Sequence, residues 1–114
     1  MLIILLIMIV LLACNKQDSK TVDNRLFIGE YRYFADAAQF KECRTNKIYP
    51  VLFDGDHIKM ERRYLKMNPK QLEWIAADIK GYLKLVPNED TMKPQESLYI
   101  TEFIRFDRTV SCKK

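Results

Sequence analysis

The sequence has few of the residues and segments that carry catalysis, redox chemistry or a membrane span. Among 114 residues there is a single histidine, His57, and the three cysteines form no Cys-x-x-Cys pair of the kind typical of redox-active sites. No motif supplies the activated nucleophile that an acid–base triad requires. The longest apolar run, residues 1–12, is shorter than the about 20 residues that a spanning helix needs. These absences predict that the protein is neither an enzyme nor a polytopic membrane protein.

The apolar run ends in a cysteine, in the sequence MLIILLIMIVLLAC. Its length and composition are typical of the apolar core of a secretory signal, and the segment LLAC resembles a bacterial lipobox. We therefore interpret residues 1–13 as a lipoprotein signal peptide that is cut between Ala13 and Cys14, and Cys14 as the lipidation site. A plain secretory peptide and an uncleaved anchor are the alternatives.

The residues after Cys14, NKQDSKTVDN, are polar and show no apolar periodicity. We interpret residues 14–25 as the lipidated cysteine and a flexible tether that keeps the remaining chain close to the membrane surface. In Gram-negative lipoproteins an Asp directly after the lipidated cysteine favours the inner membrane. Asn15 occupies that place, so we predict an outer-membrane location on the periplasmic side, or the cell membrane in a Gram-positive source.

Export also bears on the two remaining cysteines. A lone Cys43 could be a metal ligand, a nucleophile, a buried thiol or half of a disulfide. Thiols outside the cytoplasm tend to be oxidised, and Cys43 and Cys112 are an even number once Cys14 carries lipid. We predict that they form a structural disulfide. A closed loop of about 70 residues is worth roughly 4 kcal/mol in the chain-entropy model.

Residues 26–114 are long enough for one domain with one core, and its first half reads mainly as β-strand. Apolar and aromatic residues favour strands in three stretches, with a bend at ADAA (35–38) and a turn at RTN (44–46). The three predicted strands are residues 28–34, 39–43 and 47–53. Pro50 lacks an N–H group, so we expect it at a sheet edge or a bulge.

The second half begins with a change of period. Residues 54–69 predict a short amphipathic helix, capped by Asp54 or Asp56 and ended by Asn68-Pro69. The stretch 71–87 fits a helical face and also alternates strictly. Gly81 would cost about 1 kcal/mol in a helix, so a strand is favoured, and residues 97–110 supply a last strand that ends at Cys112.

Three strands, a helix and two strands is the order of an OB-fold, a five-stranded closed barrel with its helix between strands 3 and 4. Two ligand interpretations compete with core packing. His57, Met60 and Met67 could bind Cu(I), but both methionines fall on the apolar stripe of the helix. Aromatic and basic residues also resemble a stacking platform for nucleic acid; they are Tyr31, Tyr33, Tyr49, Phe53, Arg32, Arg44 and Lys47. An exported protein rarely meets nucleic acid, so we predict no nucleic-acid partner. Because the methionines are expected in the core, we also predict no bound metal, and we predict no cofactor.

One stretch resembles a known family. GEYRYFADAAQFKECRTNKIYPV, followed by ERRYL and IKGYLKLVPN, is similar to the C-terminal OB-type domain of the NlpE lipoproteins, which act in copper homeostasis and surface sensing. The resemblance runs from Phe27 to Cys112. It implies a disulfide between the cysteines that correspond to Cys43 and Cys112, and a membrane-anchored protein-interaction module with an envelope partner.

The departures from that family limit what carries over. NlpE proteins place a separate domain with a Cys-x-x-Cys pair between the anchor and the OB domain, whereas here a tether of about ten residues stands there. In that family, the other domain is implicated in signalling to the envelope-stress sensor kinase and in the link to copper. The alternative function is a small periplasmic binder, such as an enzyme inhibitor or a metal-buffering lipoprotein.

Overall fold

The computed structural model describes residues 24–112, which form five antiparallel strands in one sheet and one helix. In chain order the elements are β1 (Arg25–Phe34), β2 (Ala37–Glu42), β3 (Ile48–Pro50), α1 (His57–Lys66), β4 (Ile75–Pro87) and β5 (Pro94–Asp107). The strand order in the sheet is β3-β2-β1-β4-β5. The predicted signal peptide, Cys14 and nearly all of the predicted tether lie outside the described residues. Within residues 24–112, no helix is long and apolar enough to cross a membrane.

The first two strands are joined by the small residues that the sequence places at 35–38. Ala35 and Asp36 have φ values of 51° and 61°, and Phe34 pairs directly with Ala37 across the hairpin. Two successive residues in the left-handed region form the turn whose twist matches that of the flanking strands. The expected bend is therefore a two-residue hairpin turn. The turn expected at 44–46 joins β2 to β3, where the Asn46 N–H donates to the Glu42 carbonyl at 2.8 Å.

The ambiguous stretch is a strand, β4, as the alternation predicts. Its first half pairs with β1, from Ile75 opposite Tyr31 to Gly81 opposite Arg25, and residues 76–87 pair with β5. The ladder with β5 shifts register twice, between Asp78 and Ile79 and between Lys80 and Gly81. At Gly81 a Cβ atom would lie 2.2 Å from the Tyr99 carbonyl oxygen, so this close approach of the two strands requires glycine.

The expected closed barrel is not formed. β3 is only three residues long, and Pro50 within it cannot donate to a ladder. Directly after β3, Val51 forms an isolated parallel bridge with Leu98 of β5, supported by a hydrogen bond of 2.9 Å from the Leu52 N–H to the Leu98 carbonyl. The two edge strands of the sheet therefore approach each other without a continuous ladder. As predicted, Pro50 lies on an edge strand.

The core lies between the inner face of the sheet and α1. The helix contributes Met60 and Tyr64, and the Tyr64 ring meets the Tyr31 ring edge to face at a centroid distance of 5.3 Å. The start of the helix differs from the expectation. The Asp56 side chain makes no capping bond to the helix; instead, its Oδ2 accepts a hydrogen bond from the Phe103 N–H at 2.7 Å and so ties the helix start to β5.

Candidate functional site

The chain turns back sharply where β5 ends, before the position at which the sequence places the strand end. The Asp107 carboxylate accepts a hydrogen bond from the Thr109 N–H at 3.0 Å and another from the Thr109 hydroxyl. Both bonds favour the charged carboxylate and lower the pKa of Asp107. The residues that follow, 108–112, form what we call the C-terminal strap.

A disulfide fixes the far end of the strap. Cys112 is bonded to Cys43, with a Cα–Cα distance of 4.9 Å and a sequence separation of 69. Cys43 directly follows β2, and its N–H donates to the Ile28 carbonyl of β1 at 3.0 Å. The pairing predicted from cysteine count and export is therefore present, and it holds the strap against the start of the sheet.

Arg108 fixes the near end of the strap. Its Nε lies 3.0 Å from Glu73 Oε2, and its Nη2 donates to the Met67 carbonyl at 2.9 Å. A hydrogen bond from the Lys70 N–H and the charge of Arg108 together lower the pKa of Glu73. The strap is thus bound at one end to the segment after α1 and at the other to β2.

Between the strap and the sheet lies a groove of about 280 Å³. Apolar side chains line most of it, among them Ile28 from β1, Ala76 from β4 and Val110 from the strap, together with the disulfide. The ion pair between Arg105 Nε and Asp78 Oδ2, at 2.9 Å, also belongs to its wall. A mostly apolar lining with one oriented ion pair suits the side chains of a protein partner.

A tryptophan shields the sheet next to this groove. The Trp74 ring lies against the Arg32 guanidinium at 4.1 Å and the Lys41 ammonium at 4.8 Å. Lys41 also pairs with Glu30 at 3.0 Å, which compensates the charge of a nearly buried carboxylate. These contacts make a rigid polar border between β1, β2 and β4.

The residues considered as metal ligands lie in or against the core. His57 is fully buried, and its Nε2 lies 2.9 Å from the Tyr31 hydroxyl. Burial lowers the pKa of His57 to about 4, and it raises the pKa of Tyr31. Met60 is fully buried, and Met67 packs against the core from its edge. Among the described residues, no three His, Cys, Asp or Glu side chains are grouped to hold a metal ion.

Comparison with known proteins decides the family. The family model described as the NlpE C-terminal OB domain matches residues 21–113. The chain belongs to this family. Lipoprotein NlpE of Escherichia coli (strain K12) is 33% identical over 70 residues, which cover 61% of this chain and 28% of that protein.

A solved structure gives the same result for the fold. The crystal structure of the Cpx pathway activator NlpE from Escherichia coli matches with a TM-score of 0.66 and 25% identity, covering 86% of this chain and 50% of that chain. The chain therefore spans about half of the solved NlpE chain and less than a third of the curated NlpE protein.

Within this NlpE-type domain the proposed stacking platform is dispersed. Tyr31 and Tyr49 are buried in the core, whereas Phe53 is exposed beside the start of α1. Arg32 lies against Trp74 and does not join them. The residues that sequence reasoning missed are Trp74 and Arg108. In the sequence, Trp74 stands out only as the single tryptophan, and Arg108 is one of 19 Lys and Arg residues. The contacts of either side chain could not be predicted without the strand register.

Proposed function

We propose that this chain is a lipid-anchored protein of the bacterial envelope whose NlpE-type OB domain serves as a protein-interaction module in envelope-stress sensing. The observation that carries the proposal is the family match over residues 21–113, together with a solved relative that is named as an activator of the Cpx pathway. The two relatives described above are named as a lipoprotein and as a pathway activator, and neither name denotes an enzyme.

The anchor in this proposal is Cys14, and the location is the outer membrane. Support comes from the LLAC sequence, from Asn15 after the cysteine, and from the family, since the curated relative is called a lipoprotein. Copper homeostasis, the other role of the family, receives less support from this domain because two of the candidate ligands, His57 and Met60, are buried in the core.

The contact surface in this proposal is the groove under the C-terminal strap. Ile28 and Val110 remain about half exposed beside it although they belong to a sheet and a strap that are firmly held. Apolar side chains on a rigid border are typical of the anchoring positions of protein interfaces. The disulfide and Arg108 provide the rigidity, since they fix both ends of the strap.

The test is an envelope-stress reporter in a strain that overproduces the protein. We expect induction by the native chain, no induction by Cys14→Ser, and strongly reduced induction by Ile28→Glu, because a carboxylate would be desolvated against the apolar groove. Leu85→Glu is the matched control, since Leu85 is also exposed but lies far from the groove. A silent reporter with native protein that is folded and at the membrane would show that the family match reports the fold alone.

A further inference from the structure

The outward side of α1 is not used by the groove or by the core. The helix directs His57, Met60 and Tyr64 inward, and all three are buried. With 3.6 residues per turn, the opposite side of a ten-residue helix carries the intervening positions. That side of α1 has a distinctive composition.

Four cations occupy this outward side. Lys59, Arg62, Arg63 and Lys66 are all exposed, and at about 100° per residue they fall within an arc of roughly 100°. Within residues 24–112, none of the four takes part in a salt bridge. The acidic residue of the helix, Glu61, is half-buried and lies on the side towards the core. The arc is therefore a concentrated positive surface.

Two exposed aliphatic side chains border the four cations. Ile58 is 53% exposed and Leu65 is 52% exposed, and their separation of seven residues places them on the same side of the helix, two turns apart. Large aliphatic groups beside a row of Lys and Arg are the pattern of helices that lie in the interface of an anionic bilayer.

The position of the first described residue places this surface close to the route of the anchor. Asn24 Oδ1 accepts a hydrogen bond of 2.8 Å from the Thr101 hydroxyl. The neighbouring residue, Ile100, accepts a bond of 2.9 Å from the Asp56 N–H at the start of α1. Asn24 lies ten positions after Cys14, and ten residue steps of extended chain span at most about 35 Å. A lipid on Cys14 would hold α1 within reach of the bilayer.

We propose that the outward face of α1, formed by Ile58, Lys59, Arg62, Arg63, Leu65 and Lys66, docks on the anionic headgroups of the membrane that carries the anchor. The cations pair with lipid phosphates, and Ile58 and Leu65 enter the boundary between headgroups and acyl chains. This inference rests on the proposed anchoring. Docking by α1 would orient the domain relative to the lipid surface.

The experiment is lysine footprinting of the full chain incorporated into vesicles through its N-terminus. One set of vesicles is phosphatidylcholine and the other is phosphatidylcholine mixed with phosphatidylglycerol. Acetylation of each lysine is followed by mass spectrometry. We expect Lys59 and Lys66 to react several-fold more slowly on the anionic vesicles, because their ammonium groups are held against phosphate. Lys84 and Lys93, on the hairpin of β4 and β5, serve as internal controls whose rates stay unchanged.

A pair of charge-reversal variants separates docking from general electrostatics. Arg62→Glu/Arg63→Glu should remove the protection, since each cation near an anionic surface contributes to binding and the loss of two weakens it by on the order of tenfold or more. Lys84→Glu/Lys93→Glu changes the net charge equally and should leave Lys59 and Lys66 protected. All four positions are exposed, and the disulfide content and thermal unfolding of each variant report whether it has folded.

The outcomes distinguish this inference from the proposed anchoring. Flotation with both kinds of vesicle but equal labelling of Lys59 and Lys66 overturns docking by α1 and keeps the anchor. Flotation with anionic vesicles alone, with Lys59 and Lys66 protected, overturns the proposed anchor and keeps the docking surface. Flotation with neither kind of vesicle overturns both proposals. Two further results would overturn docking on anionic lipid: Lys59 and Lys66 protected equally on neutral vesicles, or protected equally by inorganic phosphate in solution. Protection of these lysines by added polyglutamate alone would also overturn it, in favour of an acidic protein partner.

Discussion

The two halves of β4 have the same alternating sequence and entirely different surroundings. From Ile75 to Gly81 the strand lies between β1 and β5, and the side chains of Ile75, Ala77 and Ile79 are buried. From Tyr82 onward β1 no longer accompanies it, and β5 is its one neighbour in the sheet. Leu85 is consequently 65% exposed. Alternation indicates a strand, but a second neighbouring strand is what turns its apolar residues into core.

The exposed half continues into a hairpin tip, which we define as residues 85–96. Side-chain and backbone hydrogen bonds of Asn88 organise it: Nδ2 donates to Gln95 at 2.7 Å, and Oδ1 accepts from the N–H groups of Asp90 and Thr91. The body of the domain has in addition the core, the helix and the disulfide. The tip therefore depends on local bonds, whereas the body depends on burial and a covalent bond.

The largest effect should come from the bond that fixes the body. Replacing both Cys43 and Cys112 by Ser removes a loop constraint of 69 residues, and we expect the free energy of unfolding to fall by about 4 kcal/mol. Urea unfolding measures this loss. Amide exchange in the tip should not change, because the strap does not contact it. A loss below about 1 kcal/mol would show that the strap adds little beyond its hydrogen bonds.

A pair of truncations tests the comparison within β4 itself. Ile79→Ala removes a fully buried side chain and should lower the free energy of unfolding by roughly 3 kcal/mol. Leu85→Ala removes an aliphatic group of the same size six residues later, and we expect a change below about 0.5 kcal/mol. Thermal or urea unfolding gives both values. Similar losses at the two positions would contradict the difference in burial on which the comparison depends.

The buried histidine gives the body a pH dependence that the tip lacks. Burial lowers the pKa of His57 from 6.5 to about 4, so between these values the unfolded chain binds the proton and the folded chain does not. Stability is complete above the unfolded pKa and falls with decreasing pH, by about 2 kcal/mol between pH 7 and pH 5. Unfolding measured across this range should show the slope, and His57→Gln should remove it. A His57→Gln variant with an unchanged slope would assign the effect to carboxylates.

The smallest effect should be confined to the tip. Asn88→Ala removes the acceptor for two N–H groups, and we expect faster hydrogen exchange at Asp90 and Thr91, equivalent to about 1 kcal/mol of local opening. Global unfolding should be nearly unchanged, because the hydrogen bonds of this side chain all lie within the tip. Hydrogen exchange read by mass spectrometry or NMR measures both. A parallel loss of global stability would mean that the tip and the body unfold together.

Patterns of local period predicted the elements well, and contacts distant in sequence limited the rest. The helix at 57–66 and the strand at 75–87 followed from periodicity and from the cost of Gly81 in a helix. The strand end at Asp107 did not, because it depends on a local bond to Thr109 that apolar patterning does not reveal. Asp54 or Asp56 was expected to cap α1, yet the Asp56 carboxylate binds the Phe103 N–H, 47 residues away.

The candidate site divides in the same way. The pairing of Cys43 with Cys112 could be predicted because the sequence carries an apolar run typical of an export signal and has an even number of cysteines after Cys14. The groove could not, since it exists only where the strap crosses β1 and β4. The closed barrel was wrong because strand order does not determine how long β3 is. β3 has three residues, one of them a proline, and the isolated bridge to β5 is formed by Val51, directly after it.

The central position of β1 has a kinetic consequence. The hairpins β1–β2 and β4–β5 each join residues close in sequence, whereas the β1–β4 ladder joins Tyr31 to Ile75 and Arg25 to Gly81, separations of 44 and 56 residues. Bringing such distant segments together costs loop-closure entropy before any contact repays it. We therefore expect the two hairpins to form early and their docking through β1–β4 to limit the rate of folding. High φ-values at Ala77 and low ones at Met60 would establish that order, and the reverse distribution would show that the helix nucleates the fold.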